Sequence, residues 1–289
     1  MKISQLAGCV VLYNPDKNVI ANIQSYLPFV SRLWVIDNSE HADPTLLKNL
    51  QSFENLVYFN NNGNQGIANA LNKAAEFAKN DHYDWLLTMD QDSQFLNNNS
   101  ITVLINALDK MSTADPKLAI ISAKHVVTEI KEEIRPESAI KSIDGCMTSG
   151  NFISLAIWES IGKFKDSLFI DYVDHEYCLR LKKKGYTMYE ATNSFLKHNL
   201  GNFEVINSSP FKSYTVTHHN FIRRYYITRN RLFCISRYLF SDSKYCLTEF
   251  YNLWAEYGKI LLYEKDKLKK SRSFMLGIFH FCVGRYGKY

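Results

Sequence analysis

Hydrophobic and polar positions alternate along the first part of the chain in two distinct rhythms. Short apolar blocks at residues 7–13, 33–37, 56–60, 84–89 and 118–122 read as strands, and between them the stretches 17–30, 44–53, 66–80 and 100–111 carry helical spacing. The third of these helices is the clearest. Ile67, Ala70, Leu71, Ala74, Ala75 and Ala78 recur three and four apart, which gathers them on one buried face. Strand and helix in strict alternation predict an α/β fold: a Rossmann-like, mostly parallel sheet flanked by helices, joined by right-handed crossovers. There is no internal repeat, and no low-complexity linker marks a boundary.

Polar clusters fall where the predicted strands stop. Tyr13-Asn14-Pro15 follows the first strand, Asp37-Asn38-Ser39 the second and "NNNGNQG" (60–66) the third. Each is ordinary turn chemistry when taken alone. Their recurrence at successive strand ends points to one crevice along the carboxyl edge of the sheet, where open α/β sheets bind ligands.

The fourth strand ends in "LLTMDQDSQF" (86–95), which brings out Asp90 and Asp92 two positions apart. A calcium loop of the EF-hand type fails here. It requires Asp or Asn, Gly and Glu at its fifth, sixth and twelfth positions, where this chain has Gln94, Phe95 and Ile101. A carboxylate pair holding Mg2+ or Mn2+, with phosphates of a substrate completing the coordination, suits both the spacing and the place. Neither a GxGxxG fingerprint nor a P-loop occurs, and no zinc spacing is visible.

A second informative segment spans 148–186. Val173, Tyr177 and Leu181 fall four apart ahead of Gly185, so a helix of about three turns is expected, with Asp171, Asp174, His175 and Glu176 in or just before its first turn. Acids there gain from the helix dipole, which is a purely structural reason for them. The aromatic approach "LFIDYVD" also suits a carboxylate at a pocket wall, within reach of an alcohol proton.

Composition narrows the setting. With 289 residues, 46% of them hydrophobic, the chain can bury a sizeable core. Six cysteines without CxxC spacing favour a reducing compartment. The opening apolar run stops at Asn14-Pro15, which reads as a strand and not a signal peptide, and "FMLGIFHFCVG" (274–284) is too short to cross a bilayer. A cytoplasmic protein is expected. Charge is divided unevenly: residues 1–212 hold 20 Lys and Arg against 24 Asp and Glu, whereas 213–289 hold 14 against 5. The segment 218–240 interleaves Arg223, Arg224, Arg229, Arg231 and Arg237 with aromatic and aliphatic residues. It predicts either an amphipathic helix on an anionic membrane or a docking helix with its arginines in solvent. Nucleic acid is not an expected partner, since the acidic body carries no nucleic-acid-binding motif.

The segments "GCVVLYNP", "VIDNS", "GNQGIANALN", "LLTMDQDSQF", "SGNFIS", "IGKFKDSLFIDYVDHEYCLRLKKKGY" and "HNLG" occur in the order found in family 2 inverting glycosyltransferases. Over residues 7–201 the chain resembles that family, and with "RRYYITRNRL" it is most similar to its bacterial rhamnosyltransferases. The resemblance implies a GT-A fold over residues 1–212, with a helical, basic C-terminal appendage at 213–289. It implies that Asp37 binds the nucleotide base, with Tyr13 and the turn from Asn64 to Gly66 lining the same pocket. Asp92 would hold the metal and Asp90 the ribose or donor sugar, while Asp174 would act as the base with Glu176 beside it. His198 would stand near the diphosphate, as a metal ligand, and Arg224, Arg229 or Arg231 would clamp phosphate. Val173 stands where many relatives carry a further acid.

The expectation is therefore a glycosyltransferase, peripheral to the inner membrane. It would take a nucleoside-diphosphate sugar, dTDP-L-rhamnose above all, and transfer the sugar to a lipid-linked glycan. Another donor, a UDP-hexose or UDP-galactofuranose, is the alternative within the class. A non-catalytic sugar or lipid-carrier binding protein is the alternative outside it.

Overall fold

The structure is a computed structural model that describes residues 6–126, 139–198, 204–209, 212–216 and 218–289. The predicted motif around "HNLG" extends beyond His198 into residues outside those described. The chain forms two compact units, Met1–Asp166 with Tyr177–Asn199, and Ser167–Glu176 with Leu200–Tyr289.

The first unit is built on one large sheet. Strand β1 (Leu6–Leu12) is buried at every position, the signature of a strand covered on both faces. Helix α1 (Val19–Gln24) stops short of the predicted 17–30, because Pro28 cannot donate to a continuing helix and Leu27–Phe29 tightens into a 3-10 turn. Strand β2 (Arg32–Asp37) follows, then α2 (Pro44–Leu50), whose first two free amides, Thr45 and Leu46, donate to the Asp43 side chain. Strand β3 (Leu56–Asn60), helix α3 (Ile67–Asn80) and strand β4 (Trp85–Asp90) complete the predicted alternation.

The chain next makes a three-residue strand, β5 (Ser93–Phe95), followed by α4 (Asn98–Ala114), β6 (Leu118–Val126), β7 (Ile140–Ser142), β8 (Asn151–Ser154) and α5 (Leu155–Ile161). Helix α6 (Val173–Lys183) leads into β9 (Thr187–His198).

The order across the sheet is β3-β2-β1-β4-β8-β6-β9-β5, with β7 also paired to β9. Strands β3, β2, β1 and β4 run parallel, and β6 with β9 is a second parallel pair. Between them β8 runs antiparallel to both β4 and β6.

The parallel register fixes where the strand ends lie. Leu12 pairs with Asp37, Asp37 with Asn60, and Val11 with Asp90, so four carboxyl ends finish level with one another. At the far edge β5 pairs antiparallel with β9 and sets Ser93 opposite His198. Helices α3 and α4 pack on the sheet by their buried faces. On α3 the buried set is Ala68, Ala70, Leu71, Asn72, Ala74, Ala75 and Ala78, the predicted stripe with Asn72 added.

Asn72 earns its burial by complete pairing. Its amide nitrogen donates to the Phe164 carbonyl and the Asp166 carboxylate, each at 2.8 Å. Its oxygen accepts from the Phe164 amide at 2.9 Å and the Trp158 indole at 3.2 Å.

The second unit pairs an antiparallel hairpin, β10 (Glu204–Ser209) with β11 (Lys212–Val216), and three helices: α7 (Phe221–Tyr238), α8 (Ser243–Tyr263) and α9 (Lys267–Cys282). An alternating line of charges joins those helices. Arg231 pairs with Glu249 at 3.1 Å and Glu256 at 2.8 Å, Arg224 with Glu256 at 3.1 Å and Glu264 at 2.5 Å, and Lys270 closes it on Glu264 at 2.6 Å. Arg224 and Arg231 lie two helical turns apart, as do Glu249 and Glu256, so each rung repeats where the helices face each other again. Helix α9 approaches α7 closely at Gly277, where a Cβ would lie 2.9 Å from both the Thr228 Cβ and the Tyr225 carbonyl oxygen. No helix among the described residues is long and apolar enough to cross a membrane.

Replacing Asn72 by Ala strands the Trp158 indole and the Phe164 amide in the core. It is expected to cost ~2–4 kcal/mol, measured as a lowered urea midpoint with an unchanged slope.

Candidate active site

At the level edge of the sheet the polar strand ends are tied together. Beyond β1, the Tyr13 amide donates to Gln91 Oε1 at 2.7 Å, and Gln91 Nε2 returns a bond to the Tyr13 carbonyl at 3.1 Å. Asn14 adopts a left-handed backbone, and its amide donates to Ser39 Oγ at 2.8 Å. Asn38 Nδ2 donates to the Gly66 carbonyl at 3.1 Å, and Asn61 Nδ2 donates to Asn38 Oδ1 at 2.6 Å. Lys73 Nζ reaches Asn61 Oδ1 at 2.5 Å, and the Gly66 amide donates to Asn64 Oδ1 at 3.0 Å. The turns are thus a rigid rim, not loose connections.

Asp37 is buried in that rim. Its Oδ1 accepts from the Ser39 amide at 2.8 Å and its Oδ2 from the Tyr58 hydroxyl at 2.7 Å. Burial first, and then this bond to a carboxylate, push the Tyr58 hydroxyl well above its ordinary range, so the tyrosine stays a donor. Tyr13 is exposed at the same edge.

Beyond β4, Asp90, Asp92 and His198 form a candidate metal centre. Their ligand atoms all lie within 4.8 Å of one another. The pairing of β5 with β9 produces this meeting, because Ser93 opposite His198 sets the histidine beside Asp92, 106 positions away in the chain. His198 Nδ1 lies 2.6 Å from Ser93 Oγ and 3.5 Å from Asp92 Oδ1, with the Asp92 side chain 42% exposed and that of His198 14%. Two carboxylates and an imidazole, partly open to solvent, fit a divalent ion that keeps positions for substrate oxygens. A cleft of about 280 Å³ opens beside Asp92, lined also by Asp16, Asn18, Asn22, Gln94 and Lys197.

The segment "TSGN" supports this centre from behind. Ser149 Oγ accepts the Asp90 amide at 3.0 Å, and the Ser149 carbonyl accepts a proton from His125 Nε2 at 2.7 Å. Gly150 makes that turn at φ +75°, and a Cβ there would lie 2.7 Å from Leu196. Since a carbonyl can only accept, His125 carries its proton on Nε2. Its Nδ1 is a buried atom with no hydrogen-bond partner. Burial, aided by the nearby His198, holds the His125 pKa below its ordinary value.

The second unit holds the other predicted acids. Residues 169–172 form a strained turn ahead of α6, with Phe169, Asp171 and Tyr172 all in the left-handed region. One side chain holds it. Asn230 Nδ2 donates to the carbonyls of Leu168, Ile170 and Asp171 at 2.9, 2.8 and 3.0 Å. Asp171 pairs with Arg223 at 3.0 Å. Burial raises its pKa against that pairing, and its Oδ2 is a buried atom with no hydrogen-bond partner. Asp174 follows in the first turn of α6, partly exposed, with Oδ1 accepting from the His175 amide at 2.9 Å. His175 Nδ1 in turn meets the Tyr245 hydroxyl at 2.8 Å.

Two of the expected ligand residues are buried. Glu176 is fully buried and accepts from the Tyr238 hydroxyl at 2.8 Å. Arg229 is buried with every N–H committed: to Asn230 Oδ1, to the Tyr225 hydroxyl, and to the carbonyls of Gly287, Ser167 and Leu168. Arg224 and Arg231 are held in the internal charge line. All three are buried, so α7 does not present these arginines to solvent.

The family profile described as "Glycosyl transferase family 2" matches residues 9–184, more than half of the chain and the ends of β1 to β4. The chain belongs to glycosyl transferase family 2. The dTDP-rhamnosyl transferase RfbF of Shigella flexneri is 26% identical to it over 239 residues, 78% of each chain. The crystal structure of S. aureus TarS 1–349 in complex with UDP-GlcNAc superposes with a TM-score of 0.62 at 13% identity, over 97% of this chain and 81% of that one. GalNAc-T7 with UDP, GalNAc and Mn2+ gives a TM-score of 0.54 at 15% identity over 67% of this chain, which spans 43% of its length. These structural likenesses are of fold, the GT-A architecture.

For this family 2 glycosyltransferase, sequence reasoning missed three supporting residues. Ser149 escaped because it lies in the turn before β8, a strand of four residues with no visible period, His125 because β6 runs past the strand expected at 118–122, and Asn230 because nothing in its neighbourhood announces a partner 60 positions away. Changing Asn230 to Ala should cost ~2–4 kcal/mol by releasing three carbonyls beside a strained turn. Differential scanning calorimetry would read this as a lowered melting temperature.

Proposed function

We propose that this enzyme is an inverting rhamnosyltransferase that moves L-rhamnose from dTDP-L-rhamnose onto a glycan carried by a lipid at the inner face of the cytoplasmic membrane. The observation that carries the chemistry is the cluster of Asp90, Asp92 and His198 at the carboxyl edge of the parallel sheet. The choice of donor rests on the likeness to RfbF. In this reading residues 1–212 handle the donor and the transfer, and 213–289 dock the enzyme or its acceptor.

Asp92 and His198, with Asp90 beside them, would hold Mg2+ or Mn2+, and such an ion supplies positive charge to a departing diphosphate. Lys197, in the cleft beside Asp92, adds a second positive charge on the same side. Asp90 orients the ribose or the donor sugar, and Asp37, Tyr13 and the turn from Asn64 to Gly66 hold the nucleotide base. Asp174 takes the proton of the acceptor hydroxyl as that oxygen attacks the anomeric carbon. The bond from that carbon to the diphosphate oxygen breaks on the opposite face, so one displacement inverts the configuration. No acid is required for the leaving group, because a diphosphate departs as an anion, whereas a glycosidase must protonate its leaving oxygen.

The test separates chemistry from binding. With radiolabelled dTDP-L-rhamnose and a lipid-linked acceptor, Asp174→Asn should lower kcat by ~10²–10⁴-fold and leave donor binding intact. Asp92→Ala should abolish the dependence of nucleotide binding on added Mn2+. A full rate in Asp174→Asn removes that residue from the role of base. A thermal-shift panel of dTDP and UDP sugars with metal decides the donor, since only a ligand of the native state raises its melting temperature.

A further inference from the structure

Helix α8 is apolar on two sides. Cys246, Leu253 and Ile260, seven apart, face the interior of the second unit. On the outside stand Leu247, Phe250, Tyr251, Trp254, Leu261 and Leu262, each 45–73% exposed. At about 100° per residue these six occupy an arc of roughly 120°, a continuous stripe along the whole helix. Gly258 lies in the same arc, and among the described residues no atom comes within 4 Å of its Cβ position. Helix α9 repeats the pattern with Leu268, Met275 and Phe279, 55–88% exposed, and Phe240 at the turn between α7 and α8 is fully exposed. A surface helix ordinarily turns charged residues outward, and a stripe of this length marks a contact surface.

The charges say what covers it. Residues 213–289 contain five acids, and three of them, Glu249, Glu256 and Glu264, are drawn inward to Arg224, Arg231 and Lys270. The exterior is left with Asp242 and Asp266 against exposed Arg237, Lys244, Lys265, Lys267, Lys269 and Arg272. Lys244 falls at the same angle on α8 as Leu262, and Arg272 borders the apolar arc of α9, about 20° beyond Phe279. Apolar and aromatic side chains bordered by lysines complement an anionic lipid surface, where the rings enter the headgroup boundary and the ammonium groups meet phosphates.

We infer that the exposed stripe of α8, extended by that of α9, is the surface by which this protein lies on an anionic bilayer. The contact is in the plane of the membrane, in keeping with the absence of a crossing helix among the described residues. It falls on α8 and not on α7, whose Arg224, Arg229 and Arg231 are spent inside the fold. The membrane placement in the proposed function would follow from this surface, but the surface does not depend on which sugar is transferred.

Sedimentation of the full chain with phosphatidylcholine vesicles, with and without phosphatidylglycerol, tests the inference. Binding is expected only with phosphatidylglycerol, weakening ~tenfold or more at high salt, with a blue shift of tryptophan emission as Trp254 enters the interface. The triple variant Leu247→Glu, Tyr251→Glu, Leu262→Glu should lose ~tenfold or more of that binding and keep its melting temperature and its donor affinity. Should the triple variant fail to fold, Tyr251→Glu alone must weaken binding in the same direction. Absence of wild-type binding, or equal binding by the variant, overturns the inference. So does a dimer in light scattering that the triple variant dissolves, since the stripe would then face a second copy of the chain. Vesicle binding without sugar transfer would instead count against the proposed reaction alone.

Discussion

The register of the parallel strands is the constraint on which the rest of the first unit depends. Because Leu12, Asp37 and Asn60 pair in a row and Asp90 sits level with Val11, every turn that leaves these strands starts at the same height. Polar residues that would be separate loops become neighbours, and they satisfy one another: Gln91 with Tyr13, Ser39 with Asn14, Asn38 with Asn61 and Gly66. A slip of one residue in any pairing would turn that strand's side chains to the opposite face and pull its turn out of the rim. Hydrophobic burial therefore sets the position of the polar groups, although it touches none of them.

In the second unit the organising force is charge. Five ionised side chains leave water together, with Glu256 partly exposed among them, which is tolerable only because each meets an opposite partner at 2.5–3.1 Å. The line fixes the rotation of α7, α8 and α9 about their own axes. Once α7 is held, Asn230 and Arg229 point at the turn of residues 167–172 and bond its carbonyls. Asp174, the first-turn acid of α6, thus stands after a segment whose backbone is braced by another helix and not by its own preferences.

What was legible in the sequence follows from range. The five strands and the helices α2, α3 and α4 announce themselves by local period, and each is present within a few residues of its expected bounds. Helix α1 came out shorter for a local reason as well, Pro28. Strands β5 and β8, of three and four residues, carry too little pattern to be seen, yet β5 is what brings His198 to Asp92, a meeting suggested by resemblance alone. The arginines of α7 misled because composition reports charge but not its partners. Glu249, Glu256 and Glu264 lie 18 to 40 positions away from the arginines they neutralise, and no window along the chain contains both ends. The burial of Glu176 was hidden in the same way, since its partner Tyr238 is 62 positions on.

The charge line also makes the helical unit all-or-none. Glu264 closes α8 but needs Lys270 from α9, and Arg229 needs the carbonyl of Gly287, beyond the end of α9. A nascent chain that has emerged only as far as residue 265 therefore holds acids and a guanidinium with nowhere to bury them. Arrival of α9 and Gly287, not the completion of α7 or α8, is what lets these charges find their partners, and a chain cut within α9 would leave them open.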